Sequence, residues 1–265
     1  MDLKEIALLE ERRQALGLSE IAEESRPILG GTAGRSFPGS WLNNAVGIGL
    51  NESFHEPEID QLIAWMSEKG LPTRLEVAAF ADEAFLRAIE RRGFVLREFE
   101  CVFFRPLSTQ EPACPIHTPP SEISIGRIDP ADAERVREYA TVTCRGFAPS
   151  DKDVSESDLD VFSRCVRHAR TSGFVAYVAG RIVGAGAIDV WRNVGALFAL
   201  AVLPEWRRKG VQQALIAARS NHAANAGATV ATIGSRPGQS TERNVRRMGF
   251  QLGYTKVVMV RDFKS

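Results

Sequence analysis

Polar and apolar positions alternate with helical spacing over residues 3–25 (LKEIALLEERRQALGLSEIAEES), with Ile6, Leu9, Leu16 and Ile21 as the apolar members. The chain therefore opens on an amphipathic helix, which Gly17 is placed to break in two. The Gly-, Pro- and Ser-rich stretch RPILGGTAGRSFPGSW reads as loops. Its GGTAG invites comparison with a phosphate loop but lacks the Gly-Lys-Ser/Thr ending. A short strand is expected over Asn43 to Leu50, a helix from Ile59 to Lys69 and a strand from Leu75 to Phe80. A helix from Asp82 to Arg92, capped by Gly93, leads into the strand-like FVLREFECVFFRPL.

LSTQEPACPIHTPPS (Leu107 to Ser121) breaks the pattern with four prolines and almost no periodicity, so it reads as a linker. It divides the chain into an N-terminal domain (1–107), a linker (108–121) and a C-terminal domain (122–265). Beyond it come a strand (Glu122 to Ile128), a helix (Ala131 to Phe147) and an acidic loop leading into a second helix within 149–170. Gly173 to Ala179 and Ile182 to Val190 form a hairpin, and the closing elements are a strand (Ala228 to Ile233), a helix (Thr241 to Met248) and a final strand ending near Phe263. His117, in the linker, has no partner at metal-ligand spacing and is expected to be exposed.

Between the hairpin and those closing elements lies Gly195 to Ala226, around which the chain is organised: GALFALAVLPEWRRKGVQQALIAARSNHAANA. The uncharged run Ala196 to Leu203 suits a central strand, and Pro204 ends it because proline cannot donate to a ladder. Val211, Ala214, Leu215 and Ala218 then recur at helical spacing, and Gly227 stands where a helix C-cap belongs. Arg207, Arg208 and Lys209 sit beside the helix N-terminus, whose macrodipole is already positive. Either this is a solvated basic turn, or an anion docks on the free N–H groups next to Gly210.

ERRGFVLREFECVFFRPL (Glu90 to Leu107) parallels RRMGFQLGYTKVVMVRDF (Arg246 to Phe263). One and the same interval separates Gly93 from Gly249 and Arg105 from Arg261, which points to an internal duplication. Extended upstream, NNAVGIGL faces FALAVLP, and the helix at 59–69 faces that at 207–226. The first copy has the acidic NESFHEPE where the second has LPEWRRKG, so one anion site per chain is expected.

Lys+Arg and Asp+Glu balance at 33 each, so no global basic field points to nucleic acid. The absence of an apolar run of spanning length or a secretory leader after MDLKE predicts a cytoplasmic protein without a membrane partner. Cys101, Cys114, Cys144 and Cys165 are scattered without metal spacing, so reduced packing thiols and no metal are expected.

The order of elements after the linker, with Val202, Pro204, Arg207, Gly210, Val211 and Leu215, resembles the GNAT superfamily of acyl-CoA-dependent N-acyltransferases. Those residues follow the family's strand valine, proline and Arg-x-x-Gly-x-Gly/Ala at the helix start. The resemblance covers roughly Glu122 to Phe263, with a degenerate version over Asn43 to Leu107, a tandem layout such as that of mycothiol synthase. It implies an α/β fold (α+β, mixed sheet) of two GNAT-like halves, with mostly antiparallel sheets flanked by helices.

The resemblance also implies acetyl-CoA as co-substrate. Backbone groups of Ala201, Val202 and Leu203 would pair with the pantetheine arm. The N–H groups of Arg208, Lys209, Gly210, Val211, Gln212 and Gln213 would hold the pyrophosphate, with charge added by the Arg207 and Arg208 side chains. Asn244 would contact the coenzyme arm or cap a helix. This sequence departs from the family at Gln212, where a second Gly or Ala is usual, and at Val245, where many members carry a tyrosine as thiolate acid. Tyr254, Ser240 or water are left as substitutes.

The chemistry needs a neutral amine near the thioester carbonyl and a donor for the oxyanion, which a strand N–H near Ala201 or Val202 can supply. Asp189, at the end of the hairpin strand before Trp191, is the best single base candidate, its alternative being a turn residue. The acidic run SDKDVSESDLD (Ser150 to Asp160) either draws in a cationic amine or begins a helix with Asp153 or Ser155 as N-cap. His222 continues the apolar face of its helix and is expected to pack. The expected activity is N-acetylation of a small-molecule primary amine, a homodimer being admitted. The alternatives are an acyl-CoA-binding regulatory protein without catalysis, or an enzyme for a peptide or protein amine.

Overall fold

The structure is a computed structural model describing residues 2–50, 55–147 and 153–263. The first half of NESFHEPE and the Ser150-Asp151-Lys152 start of the acidic run lie outside the described residues. The chain forms two compact units, one of Met1–Val102 with Gly253–Ser265, the other of Phe103–Leu252. This grouping follows a different line from the proline-rich segment, because the last strand of the chain is built into the first unit.

Helix α1 (Leu3–Ile21) starts on a capping box. Asp2 Oδ1 accepts from Glu5 N at 2.8 Å, and Glu5 Oε2 accepts from Asp2 N at 2.9 Å. The helix runs unbroken through Gly17, against the expected interruption. Its buried residues are Ile6, Ala7, Glu10, Glu11, Ala15 and Leu18, so two carboxylates turn inward, while Leu9, Leu16 and Ile21 are half-buried.

The first part of the stretch read as loops is instead a hairpin of β1 (Glu24–Ile28) and β2 (Gly31–Arg35), while residues 36–41 are irregular as expected. Its two-residue turn has Leu29 at φ 53° and Gly30 at φ 80°, the doubly left-handed geometry that matches strand twist. Most of GGTAG is therefore strand β2 and no phosphate loop. A Cβ on Gly31 would lie 2.2 Å from the carbonyl oxygen of Val46.

There follow β3 (Asn44–Val46), α2 (Pro57–Ser67), β4 (Thr73–Ala78), α3 (Glu83–Arg91) and β5 (Val95–Pro106). After the proline-rich segment come β6 (Ser124–Arg127), α4 (Ala133–Phe147), α5 (Glu156–Arg167), β7 (Thr171–Val178), β8 (Arg181–Trp191) and β9 (Val194–Val202). A 3-10 turn (Pro204–Trp206), α6 (Val211–Asn225), β10 (Val230–Ser235), α7 (Ser240–Arg247) and β11 (Gln251–Arg261) complete the chain.

In the first unit the sheet order is β1-β2-β3-β4-β11, with β3 and β4 parallel and the other pairs antiparallel. Leu62, Met66, Leu75, Phe85 and Ile89 lead its core. In the second unit β6, β7, β8 and β9 are successively antiparallel, and β10 joins β9 in parallel. Successive strand residues face opposite ways. Ala185 and Ala187 of β8 pack with Val136 and Tyr139 of α4, whereas Gly184 and Gly186 face α6. A Cβ at Gly184 would stand 2.9 Å from Val211, and one at Gly195 2.5 Å from Ala223, so these missing side chains let α6 lie close on the sheet. Each unit is thus a mixed sheet flanked by helices.

The duplication is visible in the element order, since β3-α2-β4-α3-β5 repeats as β9-α6-β10-α7-β11. Both copies end a helix the same way. Gly93 (φ 74°) and Gly249 (φ 83°) donate to Glu90 and Arg246, and Phe94 and Phe250 donate to Ile89 and Val245.

Candidate functional site

The basic turn follows a strand that leaves its neighbour. β9 pairs with β10 only from Val194 opposite Val230 to Leu197 opposite Ile233. Beyond Leu197 the β10-facing edge of β9 has no strand partner among the described residues. The pairing with β8 also slips here. Ala187 faces Phe198 but Ala185 faces Ala201, so Ala199 and Leu200 stand against Gly186 alone. Ala199 takes φ 52°, an uncommon conformation for a residue with a Cβ. A bulge and an open wedge coincide in the residues just before Val202.

Ala201 and Val202 are buried, and Gly146 of α4 rests on Ala201, where a Cβ would come within 2.4 Å of the alanine's own. Leu203 donates its N–H to Val183 O at 3.0 Å. The Arg207 side chain turns back on the strand, with Nε 3.0 Å from Val202 O and Nη2 3.5 Å from Gly146 O. Its charge is spent on carbonyls, in contrast to the expected role beside a phosphate.

After Arg207 the backbone N–H groups of Arg208, Lys209, Gly210, Val211, Gln212 and Gln213 have no acceptor among the described residues. The first intrahelical bond is Ala214 N to Gly210 O, 3.0 Å. Arg208 (φ 63°) and Gly210 (φ 75°) both take left-handed backbone here, curling successive N–H groups around the helix start. Six unpaired donors at the positive end of a 15-residue helix make a site for an anion. Arg208 is exposed at its rim, and Lys209 Nζ lies 4.2 Å from the centroid of the Trp206 ring.

The side chains behind the turn form one network. Gln212 Nε2 donates to Thr241 Oγ1 at 3.0 Å, Gln213 Nε2 donates to Asn244 Oδ1 at 3.0 Å, and Asn244 Nδ2 donates to Gln212 Oε1. The structure therefore brings Gln212, Gln213 and Asn244 together, and it adds Thr241, which the spacing did not single out.

It also adds the proline-rich segment, which lies along α6. Ala113 exchanges hydrogen bonds with the Asn221 side chain at 2.7 and 2.9 Å, and His117 N donates to Gln213 Oε1 at 3.0 Å. Gly210 meets this segment face on, since a Cβ there would lie 2.6 Å from His117 O. His117 is exposed as expected, yet its backbone closes over the helix start.

Other candidates fall elsewhere. Asp189 is buried and ion-paired with Arg170, Nε to Oδ1 3.1 Å. It lies opposite Ala196, at the paired end of β9, four residues along β8 from Ala185, the partner of Ala201, or about 13 Å. It is not in position to serve as base there.

Tyr254 belongs to the first unit, where its hydroxyl donates to Glu11 Oε1 at 2.6 Å. Burial, with the neighbouring carboxylates, pushes the phenol well above its ordinary range. Lys256 Nζ joins the same cluster, 2.8 Å from Glu11 and 3.2 Å from Glu76, and hydrogen-bonds Gln14. Tyr254 is thus a structural donor within a buried ion-pair network.

Val245 is fully buried and apolar, and Ser240 opens α7. Ser155 caps α5, its Oγ accepting from Asp158 N at 3.1 Å, so the described part of the acidic run is a helix start. The His222 ring packs edge-on against Phe174, centroids 5.3 Å apart, and burial lowers its basicity. Burial pushes the thiols of Cys144 and Cys165 up to about 11 and about 12. No His/Cys/Asp/Glu group suited to a metal occurs among the described residues, and no described helix is long and apolar enough to cross a membrane.

In the first unit the helix start equivalent to the basic turn is acidic. Glu58 and Asp60 occupy the first turn of α2, and Glu58 Oε2 accepts from Leu29 N at 2.6 Å.

Comparison with known proteins fits this geometry. Residues 135–250 match the model of the acetyltransferase (GNAT) family. No curated protein matches the chain. Among solved structures, a GCN5-related N-acetyltransferase from Kribbella flavida is similar over 98% of this chain and 96% of its own, with TM-score 0.73 at 15% identity. A GCN5-related N-acetyltransferase from Sphaerobacter thermophilus is similar over 83% and 72%, TM-score 0.59, 16% identity. A tandem GNAT protein from the clavulanic acid biosynthesis pathway is similar over 78% and 69%, TM-score 0.61, 10% identity. The chain carries a GNAT acetyltransferase domain over residues 135–250.

Proposed function

We propose that the protein is an acetyl-CoA-dependent N-acetyltransferase that acylates the primary amine of a small molecule by direct attack on the thioester. One observation carries this reading: six unpaired N–H groups at the start of α6 directly follow a strand edge that has parted from β10. A long ligand with a pyrophosphate at one end and an amide-containing arm at the other fits that succession. The N–H groups from Arg208 to Gln213 would hold the pyrophosphate, with Arg208 and Lys209 supplying charge at its rim. The open edge from Ala201 to Leu203 would pair with the arm, and Asn244 would flank it.

An N–H of Ala201 or Val202 would meet the charge that develops on the thioester oxygen. An alkylamine has a pKa of about 10.4 in water, so only its neutral fraction attacks, and desolvation in the wedge would raise that fraction. With Val245 apolar and both Asp189 and Tyr254 engaged elsewhere, the leaving thiolate would take its proton from the ammonium formed on attack or from water. Cys114, Cys144 and Cys165, which form no disulfide, suit a reducing compartment such as the cytoplasm.

Thermal shift and calorimetric titration with acetyl-CoA and with CoA test the binding half. No effect of either ligand would sink the proposal. Thiol release from acetyl-CoA across a panel of small amines tests the chemistry. The buried Val245 favours a second reading, an acyl-CoA-binding protein without turnover, which predicts stabilisation by acetyl-CoA but no thiol release with small amines or peptides.

A further inference from the structure

Arg219 occupies the middle of α6 and is 0% exposed. No carboxylate pairs with it among the described residues. Its partners are carbonyl oxygens: Nε donates to Leu215 at 3.0 Å, and Nη1 donates to Ala187 at 2.9 Å and Phe198 at 3.1 Å. Nη2 is buried with no acceptor among the described residues. Burial lowers its pKa to about 9, which leaves it cationic at neutral pH. A buried cation without a counter-charge is among the most costly groups a core can hold, and an apolar side chain would fill the same space. Packing alone does not explain an arginine here.

The carbonyls it binds supply the explanation. Ala187 and Phe198 are the register pair at one border of the β9 bulge, and Gly186 is the residue that faces the two extra ones. The guanidinium lies against Gly186 itself, where a Cβ would stand 2.8 Å from Cζ. Arg219 therefore plugs the bulge from the α6 side. In a trans peptide the C=O and the next N–H point in opposite directions. Drawing the Phe198 carbonyl to Arg219 turns the Ala199 N–H away from α6 and stabilises the left-handed Ala199.

We propose that Arg219 is a positioning residue that sets the β9 bulge and thereby aims the open edge from Ala199 to Val202 at an acyl thioester. This rests on reading the wedge as an acyl-CoA site. Arg219→Lys keeps the charge but cannot span two carbonyls and its own helix. Arg219→Met keeps the volume and loses every donor.

The test uses the full chain. Amide resonances of Ala199, Leu200 and Ala201 are recorded without ligand in the native protein and both variants, followed by titration with acetyl-CoA and with CoA. Arg219→Met should shift those three amides while leaving β6 unchanged. Acetyl-CoA binding should weaken by about 10²-fold, and CoA, held mainly by the α6 turn, should lose less. Arg219→Lys should fall between. Unmoved amides, or equal losses for the two ligands, overturn the proposal.

If the variants do not fold, the native protein still decides, because Arg219 Nη1 protons must exchange slowly and couple to the Ala187 and Phe198 carbonyls. Fast exchange overturns the proposal. If the native protein binds neither acetyl-CoA nor CoA, the acyl-CoA reading falls, while the amide shifts still show whether Arg219 sets the bulge.

Discussion

Arg261 donates from Nε to the carbonyl of Arg92 at 3.1 Å, closing the end of α3. Its counterpart in the duplication does the same elsewhere, for Arg105 Nη1 donates to the carbonyl of Met248 at 3.1 Å and closes the end of α7. Arg92 precedes Gly93 as Met248 precedes Gly249, so matching arginines serve matching helix ends. Each lies on the last strand of one copy and caps the last helix of the other. Arg261→Met should destabilise the first unit by about 1.5 kcal/mol, the low end for charged hydrogen bonds because the site is half-buried. Urea unfolding of Arg261→Met beside Arg105→Met measures both.

Lys256 stands among Glu11 and Glu76, all three buried, and holds α1 to β4 and β11. Removing the ammonium leaves carboxylates buried without their counter-charge. Lys256→Met should cost about 3–5 kcal/mol, and the double change Lys256→Met with Glu11→Leu should recover part of it. Chemical denaturation of the two variants checks this, and a double variant no better than the single one would count against a buried ion pair.

Glu100, on β5 beside this cluster, is raised to about 7, chiefly by burial and further by Glu76, Glu11 and Glu10, against the lowering pull of Lys256. A carboxyl raised on folding binds protons better in the folded chain. Its contribution is therefore complete below the unfolded value of 4.5 and is lost as pH rises through about 7. Glu100→Gln should stand closest to the native protein near pH 5 and exceed it in stability at pH 8. Denaturant midpoints at the two pH values read this directly.

Gly210 combines φ 75° with a neighbour 2.6 Å from where a Cβ would be. Gly210→Ala must strain the turn and push the His117 carbonyl away. CoA affinity should fall about tenfold or more, with a lower Tm, by calorimetry and thermal shift. Unchanged affinity would argue that the α6 turn does not hold the pyrophosphate.

Arg207 and Arg208 are adjacent but differently employed. Arg208→Gln should weaken CoA about fivefold in a salt-dependent way, as expected for an exposed charge. Arg207→Gln should act through stability, because its side chain binds Val202 O and Gly146 O. Titrations at low and high salt separate the two.

The unit from β9 to α6 was legible because its signals are local. An uncharged run, Pro204, and a helical period starting beside Gly210 each act within a few residues. The β7–β8 hairpin and the two Gly-Phe helix ends were legible for the same reason. The hairpin at Leu29-Gly30 was not, since its turn carries a left-handed leucine rather than the usual Asn-Gly or Gly-Gly, and the strands around it are rich in small and polar residues.

Local pattern also mistook which groups are buried. Glu11, Lys256 and Arg219 look like surface residues in their own segments. They lie inside because partners far along the chain neutralise or hydrogen-bond them. Asp189 and Tyr254 are candidates by residue type and place in their own segments, and tertiary contacts with Arg170 and Glu11 commit them elsewhere. Periodicity and turn chemistry are properties of neighbours in sequence, so the sequence by itself determined most of the elements and the basic turn at the start of α6. Burial of charge, the line dividing the two units and the partners of each polar side chain depend on distant segments meeting, and only the tertiary structure decided them.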